Sequence, residues 1–264
     1  MKPHPVSPAP VVAPRPRQHL LAHGQTDCGR VRSTNEDAFH VDTAAGLFIV
    51  ADGMGGGPAG ELAAKIVVEI LPSLLERRRQ TAPNPGGFSA SRALTDALIE
   101  ISEQLYARAQ SVPGLSGMGA ATVVALIEGT TASIAHLGDC RAYLLRGHLL
   151  QRLTKDHSMA QLLVDAGELT DASARKHPLR SHLSRFVGIP GETKPDFTSL
   201  NLEPGDRILL CSDGLTGMVD DGQLLKLLNG TEVLVPSCQD LIAAANLAGG
   251  RDNITVVLVS LIEE

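Results

Sequence analysis

Three aspartates, each at the edge of a short apolar run, constrain this chain more than any other feature. They are Asp52 in Leu47-Phe48-Ile49-Val50-Ala51-Asp52-Gly53-Met54-Gly55-Gly56, Asp213 in Ile208-Leu209-Leu210-Cys211-Ser212-Asp213-Gly214, and Asp252 in Arg251-Asp252-Asn253-Ile254-Thr255-Val256-Val257. Each run is brief and rich in β-branched or bulky side chains, the signature of a buried strand. A carboxylate at the end of such a strand is costly unless positive charge neutralises it. One Asp-Gly alone reads as a turn. Three in matching contexts point to one shared solution, a cluster of divalent cations. Mg²⁺ and Mn²⁺ prefer oxygen ligands and keep bound water. The flanking glycines let a backbone carbonyl approach an ion. The pattern implies a metal-dependent hydrolase.

The remaining segments supply a scaffold for such a site. Residues 20–28, 38–43 and 46–52 read as strands. A glycine-rich loop, Gly55 to Gly60, leads into helical periodicity from Ala59 to Arg79 through Leu62, Ala63, Ile66, Val67, Ile70, Leu74 and Leu75. After a loop at 80–88, a second helix runs from Ser89 to Gln110, with Ser89 or Ser91 as its N-cap. Four strands follow at 120–127, 131–137, 141–146 and 148–153, with Gly129 and Gly147 in hairpin turns. Residues 158–192 differ, with short helical pieces, many charges and two Gly/Pro-containing stretches, and read as a surface insertion. Strands resume at 196–201 and 206–212, helices at 221–229 and 237–248, and a last strand runs from 252 to 261. Hairpin-spaced strands indicate antiparallel sheets in place of alternating βαβ units. The expected fold class is α+β, a four-layer α-β-β-α sandwich of two antiparallel sheets flanked by helix pairs.

Composition narrows the function classes. The 264 residues are 43% hydrophobic, enough for one large core or two small ones. A net charge of −6, no tryptophan and only 3% aromatic residues disfavour a nucleic-acid partner. Cys28, Cys140, Cys211 and Cys238 form no C-x-x-C pair and read as buried thiols in a reducing compartment. No apolar stretch approaches the roughly 20 residues of a membrane span. Residues 1–18 hold six prolines and no acidic residue, which reads as a disordered, mildly basic tail and not a signal peptide. The expectation is a cytoplasmic monomer with a globular catalytic domain at 19–264.

A second polar cluster, Arg32-Ser33-Thr34-Asn35-Glu36-Asp37, adds to the first. Arg32 offers a planar fork for two phosphate oxygens, and Glu36 and Asp37 suit metal-bound waters. Asp139, in Gly138-Asp139-Cys140-Arg141, fits a third, weaker metal site and a simple hairpin aspartate equally well. His136, His157 and His177 carry no assigned role, because a lone histidine is more often structural.

Taken in order, these segments resemble the metal-dependent Ser/Thr protein phosphatases of type 2C in their compact bacterial form. The resemblance is carried by Thr26-Asp27-Cys28-Gly29-Arg30-Val31-Arg32 with Asn35-Glu36-Asp37-Ala38-Phe39, by Val50 to Gly56, and by Gly119-Ala120-Ala121-Thr122-Val123-Val124. His136 to Arg141, Leu153-Thr154-Lys155-Asp156-His157-Ser158, Pro204-Gly205-Asp206, Cys211 to Leu215 and Arg251 to Thr255 complete it. It implies a β-sandwich flanked by helix pairs and hydrolysis of phosphoserine and phosphothreonine by a metal-bridged hydroxide. It implies that Asp52 bridges two Mn²⁺ or Mg²⁺ ions, that the Gly53 carbonyl binds one and that Asp213 and Asp252 bind the other. Glu36 and Asp37 would act through water, Arg32 would bind the substrate phosphate, and Asp139 with Asp213 would hold a third ion. Residues 158–192 would form a flap beside the site. The implied partners are phosphorylated proteins and an opposing Ser/Thr kinase. Two departures stand out. Met54 occupies a place where some relatives have a histidine proposed as general acid, and Cys140 replaces a usual serine, which would matter for oxidation only if the thiol were exposed with a depressed pKa. A phosphoprotein-binding protein without activity and a two-metal hydrolase of small phosphoesters are the competing readings.

Overall fold

Strands that are apolar along their whole length need protein on both faces. The computed structural model, which describes residues 18–82 and 87–263, gives them that. β1 (Gln18–Asp27), β2 (Asp37–Asp42) and β3 (Leu47–Met54) precede two long helices, α1 (Pro58–Gln80) and α2 (Ala90–Ser111). β4 (Gly119–Glu128), β5 (Thr131–Leu137), β6 (Arg141–Arg146) and β7 (Leu149–Arg152) follow. The segment 158–192 carries α3 (Met159–Asp165), α4 (Asp171–Ala174) and a 3₁₀ helix (Pro178–Ser181). The chain then forms β8 (Asp196–Asn201), β9 (Arg207–Cys211), α5 (Asp213–Thr216), α6 (Asp221–Gly230), α7 (Leu234–Leu247) and β10 (Ile254–Glu263).

One antiparallel sheet has the order β1-β10-β9-β6-β7 and the other β2-β3-β4-β5-β8. Three apolar layers hold the sandwich together, as the α-β-β-α expectation requires. In β3, Ile49 and Ala51 point to Val67, Leu71, Leu94 and Leu98 of α1 and α2. Their neighbours Phe48 and Val50 point the other way, into the space between the sheets with Leu144, Leu210 and Val257. The outer face of the β1-β10-β9-β6-β7 sheet places Leu209, Cys211 and Leu258 against Leu224, Leu228 and Leu241 of α6 and α7. At roughly 1.5–3 kcal/mol for each fully buried aliphatic side chain, this core needs no tryptophan.

Several boundaries differ from the sequence reading by a few residues, and three of these differences have a clear local reason. β3 runs to Met54 because Gly53 and Met54 still pair with Ala120 and Gly119. β10 starts at Ile254, since the Asp252 carboxylate accepts the Asn253 N–H at 2.9 Å and takes that donor out of the ladder. α7 starts at Leu234 because Pro236 lies in its first turn, where a missing N–H leaves no helical hydrogen bond unmade. Residues 1–17 of the proline-rich tail and residues 83–86 of the loop lie outside the described residues. Among the described residues no helix is long and apolar enough to cross a membrane.

Register gathers the aspartates at one end of the sandwich. Asp37 opens β2 directly across from Asp52 in β3. Cys211, just before Ser212 and Asp213, pairs with Arg141 on one side and Val256 on the other. Asp139 sits in the turn between β5 and β6, and Asp252 sits two residues before β10.

Candidate functional site

Arg32, Glu36, Asp52, Gly53, Asp139, Asp213 and Asp252 line one cleft of about 330 Å³. Gly53 is required there by packing, because a Cβ would collide with the carbonyl of Gly60 and crowd that of Glu36. Asp139 and Asp213 also line a second cavity of about 390 Å³, which runs under segment 158–192 past Arg175 and Arg180. Of the residues singled out from sequence, only Asp37 stands behind the cleft wall and not on it. Its Oδ2 accepts from the hydroxyls of Ser212 at 2.8 Å and Thr255 at 2.7 Å. Its Oδ1 is buried and has no hydrogen-bond partner.

The electrostatics of this group are those of negative charges pressed together. Burial, then the charges of Asp37 and Asp213, push the Asp52 carboxyl well above its usual range. Burial, then Asp213, do the same to Asp139. Asp213 is raised by burial and by Asp252, with Arg180 and Arg141 opposing. Asp37 is pushed up to about 7, chiefly by burial and in spite of its two hydroxyl donors. Asp52, Asp139 and Asp213 still meet solvent in the cleft, which tempers both the burial and the repulsion that raise them. An all-oxygen donor set, one buried carboxylate oxygen without a partner and several carboxylates raised by one another fit hard divalent cations. Among the described residues, the only trio with ligand atoms within 4.8 Å of one another is His136, His157 and Asp196. The cleft aspartates are spread more widely, a span suited to more than one ion.

Arg32 is half exposed and its Nη2 donates to Asp252 Oδ2 at 2.9 Å, which raises its pKa further and aims the guanidinium over the cleft. The loop bearing it is held by Asn253. That side chain accepts the Glu36 N–H at 2.8 Å and donates to the carbonyls of Cys28 at 3.0 Å and Thr34 at 2.9 Å. Glu36 Oε1 accepts the N–H of Gly57 at 2.9 Å, just ahead of α1. Sequence reasoning quoted Ser212, Asn253 and Thr255 but gave them no role. The available signal was a polar residue directly beside Asp213 (Ser212) and Asp252 (Asn253), with Thr255 the next polar side chain in an otherwise apolar strand. His177 caps the 3₁₀ helix by accepting the Leu179 N–H at 3.2 Å. Cys140 is buried and its thiol is pushed well up by burial, so the condition for oxidation sensitivity is not met.

The family model described as Protein phosphatase 2C matches residues 25–255, which contain every residue of the cleft. The chain belongs to the protein phosphatase 2C family. Among its relatives in that family is the serine/threonine phosphatase stp of Listeria monocytogenes, 35% identical over 243 residues, which cover 91% of this chain and 95% of the relative. The serine/threonine protein phosphatase PstP of Mycobacterium tuberculosis is 38% identical over 239 residues, 90% of this chain and 44% of that longer protein. The crystal structure of Mycobacterium tuberculosis PstP superposes with a TM-score of 0.83 at 36% identity, covering 92% of this chain and 99% of that one. A PstP catalytic domain solved in complex with two manganese ions gives 0.81 at 34% identity, over 93% and 100%.

Proposed function

We propose that this protein phosphatase 2C member hydrolyses phosphoserine and phosphothreonine in proteins at a binuclear Mn²⁺ or Mg²⁺ centre. The observation that carries the reading is the convergence of Asp52, Asp139, Asp213 and Asp252 with Arg32 on one cleft. Asp52 would bridge two ions, with the Gly53 carbonyl on one and Asp213 and Asp252 on the other. Glu36 and Asp37 would act on that centre through water, and Asp139 with Asp213 would hold a weaker third ion. Bound there, divalent ions supply positive charge for phosphate oxygens and acidify water to near-neutral pKa.

The chain's own groups do the rest. Arg32 presents two N–H donors to a phosphate, and its contact with Asp252 sets its orientation before substrate arrives. Asn253 and Glu36 fix the loop and the start of α1, so the cleft needs little rearrangement on binding. Segment 158–192 acts as a flap that borders the second cavity and influences which phosphoprotein fits. A phosphorylated protein is the substrate, and a Ser/Thr kinase is the opposing enzyme.

The deciding experiment measures phosphate release from a phosphothreonine peptide with Mn²⁺ and then with excess EDTA. Turnover that EDTA abolishes, and that Asp52→Asn lacks, supports the proposal. Folded protein with no turnover in any divalent cation would instead be a binding protein. Faster turnover of nucleotides than of phosphopeptide would make it a small-phosphoester hydrolase.

A further inference from the structure

Among the side chains the proposed reaction leaves unused is a cluster of two buried histidines, His136 and His157, with the partly exposed Asp196. His157 is the member that reaches the catalytic end. Its backbone N–H donates to the Gly138 carbonyl at 2.9 Å, and the Gly138 N–H donates back to its Nδ1 at 3.2 Å. Its own carbonyl accepts the Ser184 N–H at 2.8 Å, at the base of segment 158–192. Gly138 immediately precedes Asp139. Its φ is +105°, and a Cβ there would collide with Ala121. The turn is therefore wedged between Ala121 and His157. The imidazole cannot swing away, because it is buried and stacks on His136 with centroids 4.4 Å apart. Its Nε2 lies 3.2 Å from Asp196 Oδ2, and Asp196 is held in turn by Arg185 at 2.6 Å.

A metal ion does not suit these three side chains. With Nδ1 accepting from Gly138, the proton of the neutral ring sits on Nε2, which lies 3.2 Å from Asp196 Oδ2 without making a hydrogen bond. Stacked rings, 25° from parallel, do not aim their in-plane lone pairs at one point. Asp196 already has the Arg185 guanidinium.

We propose that His157 is a positioning residue for Asp139, its Nδ1 and backbone holding the Gly138–Asp139 turn so that the carboxylate faces both cavities. This rests on the reading of Asp139 as ligand to a weaker third ion. The same residue ties that turn to the base of the flap, so the two are one mechanical unit. Partners that orient metal ligands are worth roughly 10–100-fold in metal affinity when lost.

Two amide replacements separate the roles of the ring atoms. Asn Oδ1 takes the place of Nδ1, whereas the Gln amide reaches only the place of Nε2. Mn²⁺ binding is followed by calorimetric titration of the full chain, with Asp139→Asn as the reference. His157→Gln is expected to weaken the weakest Mn²⁺ step by about tenfold, as Asp139→Asn does, while His157→Asn stays near wild type. Wild-type titration of His157→Gln beside a weakened Asp139→Asn overturns the positioning role. Equal weakening in both His157 variants overturns the Nδ1 contact as its cause. An Asp139→Asn protein that titrates as wild type overturns the third-ion reading and this inference with it. If His157→Gln does not fold, nitrogen NMR of the wild type decides. The His157 Nδ1 resonance moves in the last step of a Mg²⁺ titration, and a resonance that stays still refutes the link.

Discussion

Asp139 and Arg141 are neighbours but one, yet they belong to opposite kinds of buried charge. Arg141 has all it needs. Its Nη2 and Nε reach Asp156 at 2.7 and 3.0 Å, its Nη1 reaches the Tyr143 hydroxyl at 3.1 Å, and Arg152 binds the same carboxylate. Burial pushes Asp156 up, but the Arg141 charge and hydrogen bonds outweigh it and the carboxyl ends below its ordinary range. Asp139, Asp52 and Asp213 face one another, and each ends above it. The lesson is about balance of charge. A buried carboxylate closed in by guanidinium groups belongs to the scaffold, even with Arg152 Nε left unpartnered, whereas carboxylates left open to one another mark where a ligand is expected.

The largest effect should come from opening the closed cluster. Asp156→Ala leaves Arg141 and Arg152 buried without a carboxylate and should destabilise the fold by about 3–5 kcal/mol in urea unfolding. A loss below about 1 kcal/mol would erase the distinction. Neutralising the open cluster should do the reverse. Asp52→Asn or Asp213→Asn is expected to lower phosphopeptide turnover at least about a hundredfold. It should leave metal-free stability at neutral pH unchanged or higher, since a carboxyl whose folded pKa is raised costs stability progressively as pH rises above its unfolded value. Near-normal turnover in both variants would remove the metal assignment.

A smaller effect concerns pH. Burial first, then His136 and Arg185, lower the His157 pKa from 6.5 to about 4. The unfolded chain therefore binds this proton more readily, and stability is full above pH 6.5 and falls as pH drops toward 4. Between pH 7.5 and 5 the wild type should lose about 2 kcal/mol that His157→Asn does not. Identical pH profiles would show that His157 is not held neutral. The smallest change is at the surface. Glu100→Ala removes pairs to Arg77 and Arg78 and should alter stability by less than about 1 kcal/mol. A larger loss would mean that exposed pairs matter here as buried ones do.

The layers of the fold were legible because β-period and helix-period runs alternate cleanly, and two-sided burial shows as unbroken apolar strands. Asp52, Asp213 and Asp252 stood out because each contradicts the run beside it. Asp139 was undecided, since a hairpin aspartate and a cleft aspartate share one local pattern and only the packing of β6 beside β9 tells them apart. Asp37 was read as acting through metal-bound water, and its place opposite Asp52, behind the cleft wall and against Ser212 and Thr255, could not be read from its neighbours in sequence. Contacts between residues so distant in sequence leave no local trace. The role of His157 was hidden for the same reason, because nothing around Asp156-His157-Ser158 announces a turn on another pair of strands.

The pairing of β1 with β10 sets a timetable for synthesis. From Gln18 opposite Glu263 to Asp27 opposite Ile254, the first described strand is zipped along its length to the last. On the ribosome β1 emerges early and has no partner until β10 follows it, and Asp252 arrives only then. Asp52 and Asp213 precede it in the chain, so the acidic cleft is completed only once the segment around Asp252 and β10 is in place. A nascent chain that stops short of Asp252 and β10 therefore lacks one carboxylate of the cleft and the strand that holds β1 in its sheet.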